Sequence, residues 1–200
     1  MRFHIPVARA RRYMMATVVM VALLCSAGTS AWAEVGFGFK GGILMPDQDP
    51  FKDEYDADML LGGVLEFDSN LGVTVESSLE YFSQDGSHNG KITIFPFIVS
   101  AKYNFFPRYR TTPFVGIGVG TYFFDQDYWD ANINQLRSSS KTQFGVRASA
   151  GLRMLEDRRV NIVIEAARNF VDFRDMNASS FQVTGSVIFD FYPSIIGMSQ

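Results

Sequence analysis

The sequence predicts an all-β fold, an eight-stranded antiparallel up-and-down transmembrane β-barrel. Three observations predict it. Apolar and polar residues alternate from Val35 onward, short and long polar connections take turns along the chain, and aromatic residues gather at the ends of the alternating segments. Alternation with period two is typical of strands whose two faces meet different surroundings. Aromatic residues at strand ends are typical of barrels whose outer face meets lipid.

The first 33 residues have the organisation of a secretory signal peptide. Arginines precede an apolar run over residues 14–24, and Ala31-Trp32-Ala33 places small residues where a signal peptidase cuts. The apolar run is roughly half the length of about 20 residues that a transmembrane helix needs. We therefore predict cleavage after Ala33, which leaves one outer-membrane barrel domain over residues 34–200.

Removal of this leader changes the charge and the chemistry of the chain. The one cysteine, Cys25, and four of the 18 basic side chains lie in the leader, so 14 basic side chains remain against 21 acidic ones, a formal net charge of −7. A chain of this charge is not expected to bind nucleic acid, whose phosphates require a basic surface. Neither a disulfide nor thiol chemistry is expected.

Eight alternating segments supply the predicted strands. From Phe144 to Leu152, every second residue is apolar, and the residues between them are glycine, serine or arginine. The segments are long enough for tilted membrane strands, which need about 9–11 residues. In chain order they lie at 35–45, 57–68, 71–82, 90–105, 113–124, 141–154, 159–170 and 179–191.

The connections between these segments alternate in length. Residues 68–70 and 156–158 are tight turns and 107–112 is a modest one, whereas the polar stretches at 46–56, 83–89, 125–140 and 171–178 are longer. Outer-membrane barrels have short turns on the periplasmic side and longer loops on the outer side. We call the two ends of the predicted barrel the turn side and the loop side.

Aromatic residues form one group at each end, as in the interfacial girdles of membrane barrels. The turn-side group is Phe37, Phe67, Tyr103, Phe105, Phe189 and Phe191, and the loop-side group is Tyr81, Phe95, Phe123, Phe144 and Phe181. Two such rings predict that the part of the barrel between them spans a bilayer.

The polar face of the strands carries balanced charge, and this separates the barrel from a soluble β-sandwich. A sandwich turns its polar face to water, whereas a closed interior has to pair its ions. Eight strands also enclose a space that side chains fill. We therefore predict a lumen plugged by paired charges. By parity these are Lys40, Lys102, Arg147 and Arg153 with Glu66, Glu76, Glu80 and Glu165.

Gly36, Gly38 and Gly41 have the G-x-G-x-x-G spacing of a dinucleotide-binding turn. That fingerprint requires a strand before it, a helix after it and an acidic residue about 20 positions further on. Here the first strand is expected to contain the motif and Pro46 to end it. No cofactor is predicted, and Gly36, Gly38 and Gly42, which share the parity of Lys40, are expected to leave room inside the barrel.

Several stretches carry a resemblance to a known family: Gly38-Phe39-Lys40-Gly41-Gly42, then residues 94–97, 101–107, 113–120, 144–146 and 150–152. They resemble the outer membrane protein beta-barrel domain family, the small OmpA/OmpX-like eight-stranded barrels of Gram-negative bacteria. The resemblance implies a place in the cell outer membrane, contact with its lipids and lipopolysaccharide, and insertion by the barrel-assembly machinery. Residues 183–191 resemble the last strand, ending in an aromatic, that this machinery reads.

Arg168 breaks the alternation, because it is three residues from Glu165 and cannot share its face of a regular strand. We expect a bulge near Ala166 that returns Arg168 to the lumen. The alternative is an Arg168 that faces lipid near the loop side and extends its guanidinium to the interface.

His88 is the one histidine after the leader, and serine and carboxylate neighbours such as Asp85 and Ser87 accompany it. Lipid A-modifying enzymes on similar barrels use these residue types. A loop tip rich in glycine, serine and asparagine is also an ordinary place for a solvated histidine, so neither a catalytic residue nor a metal site is predicted.

Two loops offer candidate surface contacts. The loop with Asp53, Glu54 and Asp56 lacks the ligand order of an EF-hand. It is expected to be a solvated loop that resists aggregation. The alternative is a loop whose carboxylates are bridged to lipopolysaccharide by weakly bound divalent cations. Tyr128 and Trp129 offer an aromatic platform for a partner, although aromatic residues at the membrane edge would look the same.

The expected function follows from these features. We predict a monomeric barrel without catalytic activity, with a structural or surface-interaction role. One alternative is a narrow OmpW-like channel for small apolar molecules, which Ile92, Ile94 and Ile98 would favour by facing inward near the loop side. A second is a lipid A-modifying enzyme that depends on His88.

Overall fold

Eight long strands and one two-residue strand make up the described part of the chain. The computed structural model describes residues 32–47, 57–69, 71–85, 91–106, 109–130, 135–157, 159–173, 176–177 and 179–191. The strands are β1 (Trp32–Pro46), β2 (Asp58–Ser69), β3 (Val73–Asp85), β4 (Lys91–Asn104), β5 (Thr111–Asp130), β6 (Gln135–Asp157), β7 (Val160–Phe173), β8 (Met176–Asn177) and β9 (Ser180–Phe191).

The long strands close into a single antiparallel barrel. Each of β1 to β7 pairs with the next strand along the chain, and β9 pairs with both β7 and β1. The seam between the last and first strands runs from Val35 opposite Phe191 to Pro46 opposite Ser180. The short β8 pairs with the last two residues of β7. The predicted eight-stranded up-and-down barrel is confirmed.

The two faces of the barrel wall differ in the way that the alternation predicts. Along β9, buried and exposed residues alternate at every position from Ser180 to Phe191. The outward positions are apolar over most of the wall: the side chains of Phe39 and Ile117, for example, are each 64% exposed. This apolar outer surface is the transmembrane surface, because burying it in lipid removes it from water.

Within the part of the chain that the structure describes, no helix has the length and apolar character needed to cross a bilayer.

The glycines of the first strand lie inside β1 and leave room for the neighbouring strand. Gly38 faces the lumen, where a Cβ atom would stand 2.3 Å from the backbone oxygen of Val187. Because a backbone atom cannot move aside, this position accepts no side chain without displacing β9. The glycine spacing therefore serves close packing within a strand that continues to Pro46.

The strands β5 and β6 extend much further than predicted. Residues 125–140 were expected to form a loop, but the two strands stay paired up to Asp130 opposite Gln135. The ladder continues because backbone hydrogen bonds require no apolar side chains. Ser140, Lys141 and Thr142 are consecutive and all exposed, so here both faces of the strand meet water and the sequence has no apolar alternation to mark it as strand. We call residues 121–130 and 135–144 the ribbon.

The expected bulge near Ala166 is wrong. Strand β7 stays in register with β9 from Val160 to Asn169, and its pairing with β6 is also regular around Ala166. Arg168 therefore faces outward, near the loop side, where its guanidinium pairs with Asp47 at 2.8 Å and lies over the ring of Phe170. An outward arginine is tolerated there because its long stem reaches a carboxylate at the interface.

Candidate functional site: the barrel interior

Four charged side chains from four strands meet in the middle of the lumen. The ammonium of Lys102 on β4 lies 2.5 Å from Glu76 on β3 and 2.7 Å from Glu165 on β7. The ammonium of Lys40 on β1 lies 2.7 Å from Glu76, so that this carboxylate bridges the two lysines. These contacts cross the barrel from one wall to the other.

A second ion pair lies next to this group. The guanidinium of Arg147 on β6 donates two hydrogen bonds to the two oxygens of Glu80 on β3, at 2.7 and 2.8 Å. It also donates to the amide oxygens of Asn169 and Gln182, at 2.8 and 3.2 Å. The hydroxyl of Tyr122 donates to the same oxygen of Asn169. Paired hydrogen bonds of this kind fix the guanidinium in position as well as neutralising it.

The third pair lies toward the turn side. Arg153 on β6 reaches two carboxylates of β2, Glu66 at 2.6 Å and Asp68 at 2.7 Å. Asp68 also belongs to a group of three carboxylates with Glu34 and Asp190, the one such group in the described residues where a metal ion could be held.

All eight charged residues assigned to the inner face by parity lie inside the barrel, each in at least one ion pair. They are Lys40, Glu66, Glu76, Glu80, Lys102, Arg147, Arg153 and Glu165. Buried ions cost several kcal/mol each to desolvate and are stable only with good partners. The arrangement therefore links the walls of the barrel across the lumen.

The loop-side part of the lumen is apolar. Ile92, Ile94 and Ile98 of β4 point into it, as expected, and pack in one buried cluster with Leu44, Leu60, Phe82, Tyr122, Phe124 and Val171. We call this cluster the apolar layer. It separates the ion pairs from the outer end of the barrel.

Sequence reasoning missed the neutral partners of the ion pairs. Asn169 and Gln182 have the inward parity of β7 and β9, as does Asn161, and all three are buried. Parity alone could have placed them inside. The inner residues were predicted from the balance of charges, and neutral amides do not contribute to that balance.

The predicted surface contacts cannot be placed in the same way. Asp53, Glu54, Asp56 and His88 lie outside the described residues. The backbones of Tyr128 and Trp129 lie in β5, opposite Arg137 and Leu136, and their side chains lie outside the description.

Comparison with known proteins agrees with this architecture. Neisserial surface protein A is 11% identical with a TM-score of 0.63, over 81% of this chain and 99% of that one. The N-terminal β-barrel domain of Pseudomonas aeruginosa OprF is 15% identical with a TM-score of 0.54, over 81% of this chain and 100% of that one. A major outer membrane protein from Thermus thermophilus is 10% identical with a TM-score of 0.57, over 78% of this chain and 99% of that one.

At these identities the likeness is one of fold. No curated protein sequence matches the chain. The model of one family, the outer membrane protein beta-barrel domain, matches residues 16–189. The match covers most of the chain, and the closed barrel agrees with it: this outer-membrane protein belongs to the outer membrane protein beta-barrel domain family.

Proposed function

We propose that the protein is a barrel without catalytic activity that acts at the cell surface and has a closed lumen. The observation that carries the closed lumen is the set of ion pairs in its middle. Arg147 and Glu80 are each 1% exposed, and Lys40 is 2% exposed. A solute would have to break these pairs to pass, which costs several kcal/mol for each ion left unpaired. Because these charges are engaged with one another, they are poorly placed to act as an acid or a base.

The ribbon supports the surface role. Strand β6 begins to pair with β7 only at Gly145, so that among the described residues the edge of β6 over 135–144 pairs with β5 alone. Ten residues of strand span about 30 Å. An unpaired strand edge offers a row of backbone donors and acceptors to an extended segment of a partner.

Other parts of the proposal rest on the sequence. We propose that the leader is cleaved after Ala33, that the assembly machinery inserts the barrel through its last strand, and that the protein is a monomer in contact with lipopolysaccharide. The last strand β9 ends at Phe191 with the aromatic ring outward and 61% exposed, which supports this mode of insertion.

The apolar layer favours a second candidate function, a narrow route for small apolar molecules. Ile92, Ile94 and Ile98 line the loop-side lumen, where an apolar solute would be desolvated at little cost. The ion pairs below this layer oppose passage along the whole barrel axis.

Measurements of flux separate the two functions. In planar bilayers and in liposomes, the purified barrel should give neither steady ion conductance nor uptake of a small apolar tracer above protein-free membranes. Arg147→Ala combined with Glu80→Ala, which removes one buried ion pair from the middle of the lumen, is the positive control and should raise conductance. Tracer uptake by the unmodified barrel that falls with Ile98→Ser would contradict the closed lumen and support the second candidate.

Shortening the ribbon tests the surface role. Replacement of residues 128–137 by Asn-Gly, a pair that favours tight hairpin turns, should leave insertion and heat-modifiable migration in SDS gels unchanged. Cells displaying this variant should adhere to a surface coated with the partner no better than cells without the protein. The control is neutralisation of Asp53, Glu54 and Asp56, which should preserve adhesion. Full adhesion of the shortened variant would refute a role of the ribbon.

A further inference from the structure

Three carboxylates from neighbouring strands converge at the turn-side end of the lumen. In the strand register, Glu34 on β1 lies opposite Asp68 on β2, and Asp190 on β9 lies opposite Gly36 on β1. One oxygen of each carboxylate lies within 4.8 Å of the other two. Because β9 and β1 are the last and first strands, this group sits at the seam where the barrel closes.

The charge at this end is unbalanced, unlike the charge deeper in the lumen. In the middle, three cations face three carboxylates. At the turn side, Arg153 is the one buried cation among the described residues, and Glu66 and Asp68 already share it. Arg159 is nearby, since its carbonyl accepts the amide of Asp190, but it is exposed. Cleavage after Ala33 would add the α-ammonium group of Glu34 at the open end, but three carboxylates besides Glu66 still share these charges, and they repel each other unless a further positive charge joins them.

Unpaired oxygens point to the same place. Asp190 is only 5% exposed; its Oδ2 accepts a hydrogen bond from Asn161, and its Oδ1 has no donor among the described residues. That Oδ1 lies over β1, at 2.7 Å from the position that a Cβ atom of Gly36 would take. The missing side chain of Gly36 thus leaves room between β9 and β2.

Three further oxygens at this end lack donors in the described structure, and all three residues are buried: Oε1 of Glu66, Oδ1 of Asn104 and Oδ1 of Asn161. One donor, Nε of Arg153, is also unpaired there. The unsatisfied groups are therefore mainly oxygen acceptors, which a cation can satisfy and a hydrogen-bond donor from the protein does not.

We propose that Glu34, Asp68 and Asp190 bind one divalent cation of the size of Ca²⁺. Calcium takes carboxylate and amide oxygens at about 2.3–2.6 Å, so that ligands on opposite sides of the ion are about 5 Å apart. Magnesium holds its ligands at about 2.1 Å in a stricter octahedron and retains water. Glu34 and Asp68 are only half-buried, which leaves the ion an entrance from the turn side. The bound ion would fasten β9 to β1 and β2.

Calorimetric titration of the EDTA-treated, refolded barrel with calcium chloride tests the site. The unmodified barrel should bind one Ca²⁺ saturably, with at least tenfold weaker binding of Mg²⁺. Glu34→Gln and Asp190→Asn should each weaken Ca²⁺ binding at least tenfold. Asp58→Asn, an exposed change at the loop side, is the matched control for weak binding by surface carboxylates and should leave the affinity unchanged.

Thermal unfolding gives a second readout that does not depend on calorimetry. In EDTA, Asp190→Asn should unfold at a higher temperature than the unmodified barrel, because one repelling charge is gone. In calcium the order should reverse, because only the unmodified barrel gains the ion. The proposal is overturned if the unmodified barrel shows no saturable binding, if both variants bind Ca²⁺ as it does, or if the order of unfolding temperatures is the same in both solutions. Equal binding of Mg²⁺ overturns the assignment to the larger ion.

Discussion

Replacement of Glu80 by glutamine should lower the free energy of unfolding of the barrel by about 3–5 kcal/mol. Glutamine keeps the shape of the side chain but removes the charge that Arg147 binds through two hydrogen bonds. The guanidinium then stays buried with neutral acceptors alone, which are the one amide oxygen of the substituted side chain and those of Asn169 and Gln182. The cost arises from an uncompensated buried charge rather than from a lost contact. Reversible unfolding by urea in lipid vesicles measures it.

A double-mutant cycle separates this pair from general effects of mutation. Arg147→Met should also destabilise the barrel, though less, because Lys40 lies 3.7 Å from Glu80 and still compensates its charge. The double variant should recover part of the loss, since neither charge is then left unpaired. Asp47→Asn breaks the more accessible pair with Arg168 and is the matched control, with an expected cost of at most about 1 kcal/mol.

The outcome of this comparison is informative in both directions. A cost of Glu80→Gln no larger than that of Asp47→Asn would mean that water reaches the middle of the lumen. This result would contradict the closed lumen of the proposed function.

The barrel and the inward charges were predictable because two constraints act on every strand. Outward residues have to be apolar in lipid, so positions such as Ile117 and Phe39 alternate with polar ones and reveal the strands. Inward ions have to find partners of opposite charge, as Lys102 does with Glu76 and Glu165. Both constraints act on individual residues, so their effects can be recognised in the sequence alone.

Features outside the membrane and across the seam were not predictable in the same way. The ribbon stays paired through residues that are polar on both faces, such as Ser138-Ser139-Ser140, where no solvent boundary imposes alternation. Arg168 was assigned a bulge because every ion was expected inside, but Asp47 and the interface offer it a partner outside. Asp68 and Asp190 have inward parity, yet their meeting depends on the register between first and last strands, which alternation does not fix.

The second large effect concerns the outer face of the wall. Ile117 lies on the outer face of β5, opposite Ala101 and Ala148 and 64% exposed. Ile117→Arg should lower the free energy of unfolding in bilayers by about 2–4 kcal/mol, the cost of an arginine at the bilayer midplane. The paired change on the inner face is Ser149→Thr. The side chain of Ser149 lies against Gly116, which has no side chain of its own, and the cost of one added methyl group should stay below about 1 kcal/mol.

The free energies of unfolding of these two variants, measured side by side in lipid vesicles, test most directly that apolar side chains face lipid while the ions pair inside. We predict that Ile117→Arg costs at least twice as much as Ser149→Thr, and that the difference shrinks in detergent micelles, where water reaches the outer wall more easily. Equal costs in vesicles, or a larger cost for Ser149→Thr, would contradict the assignment of the two faces.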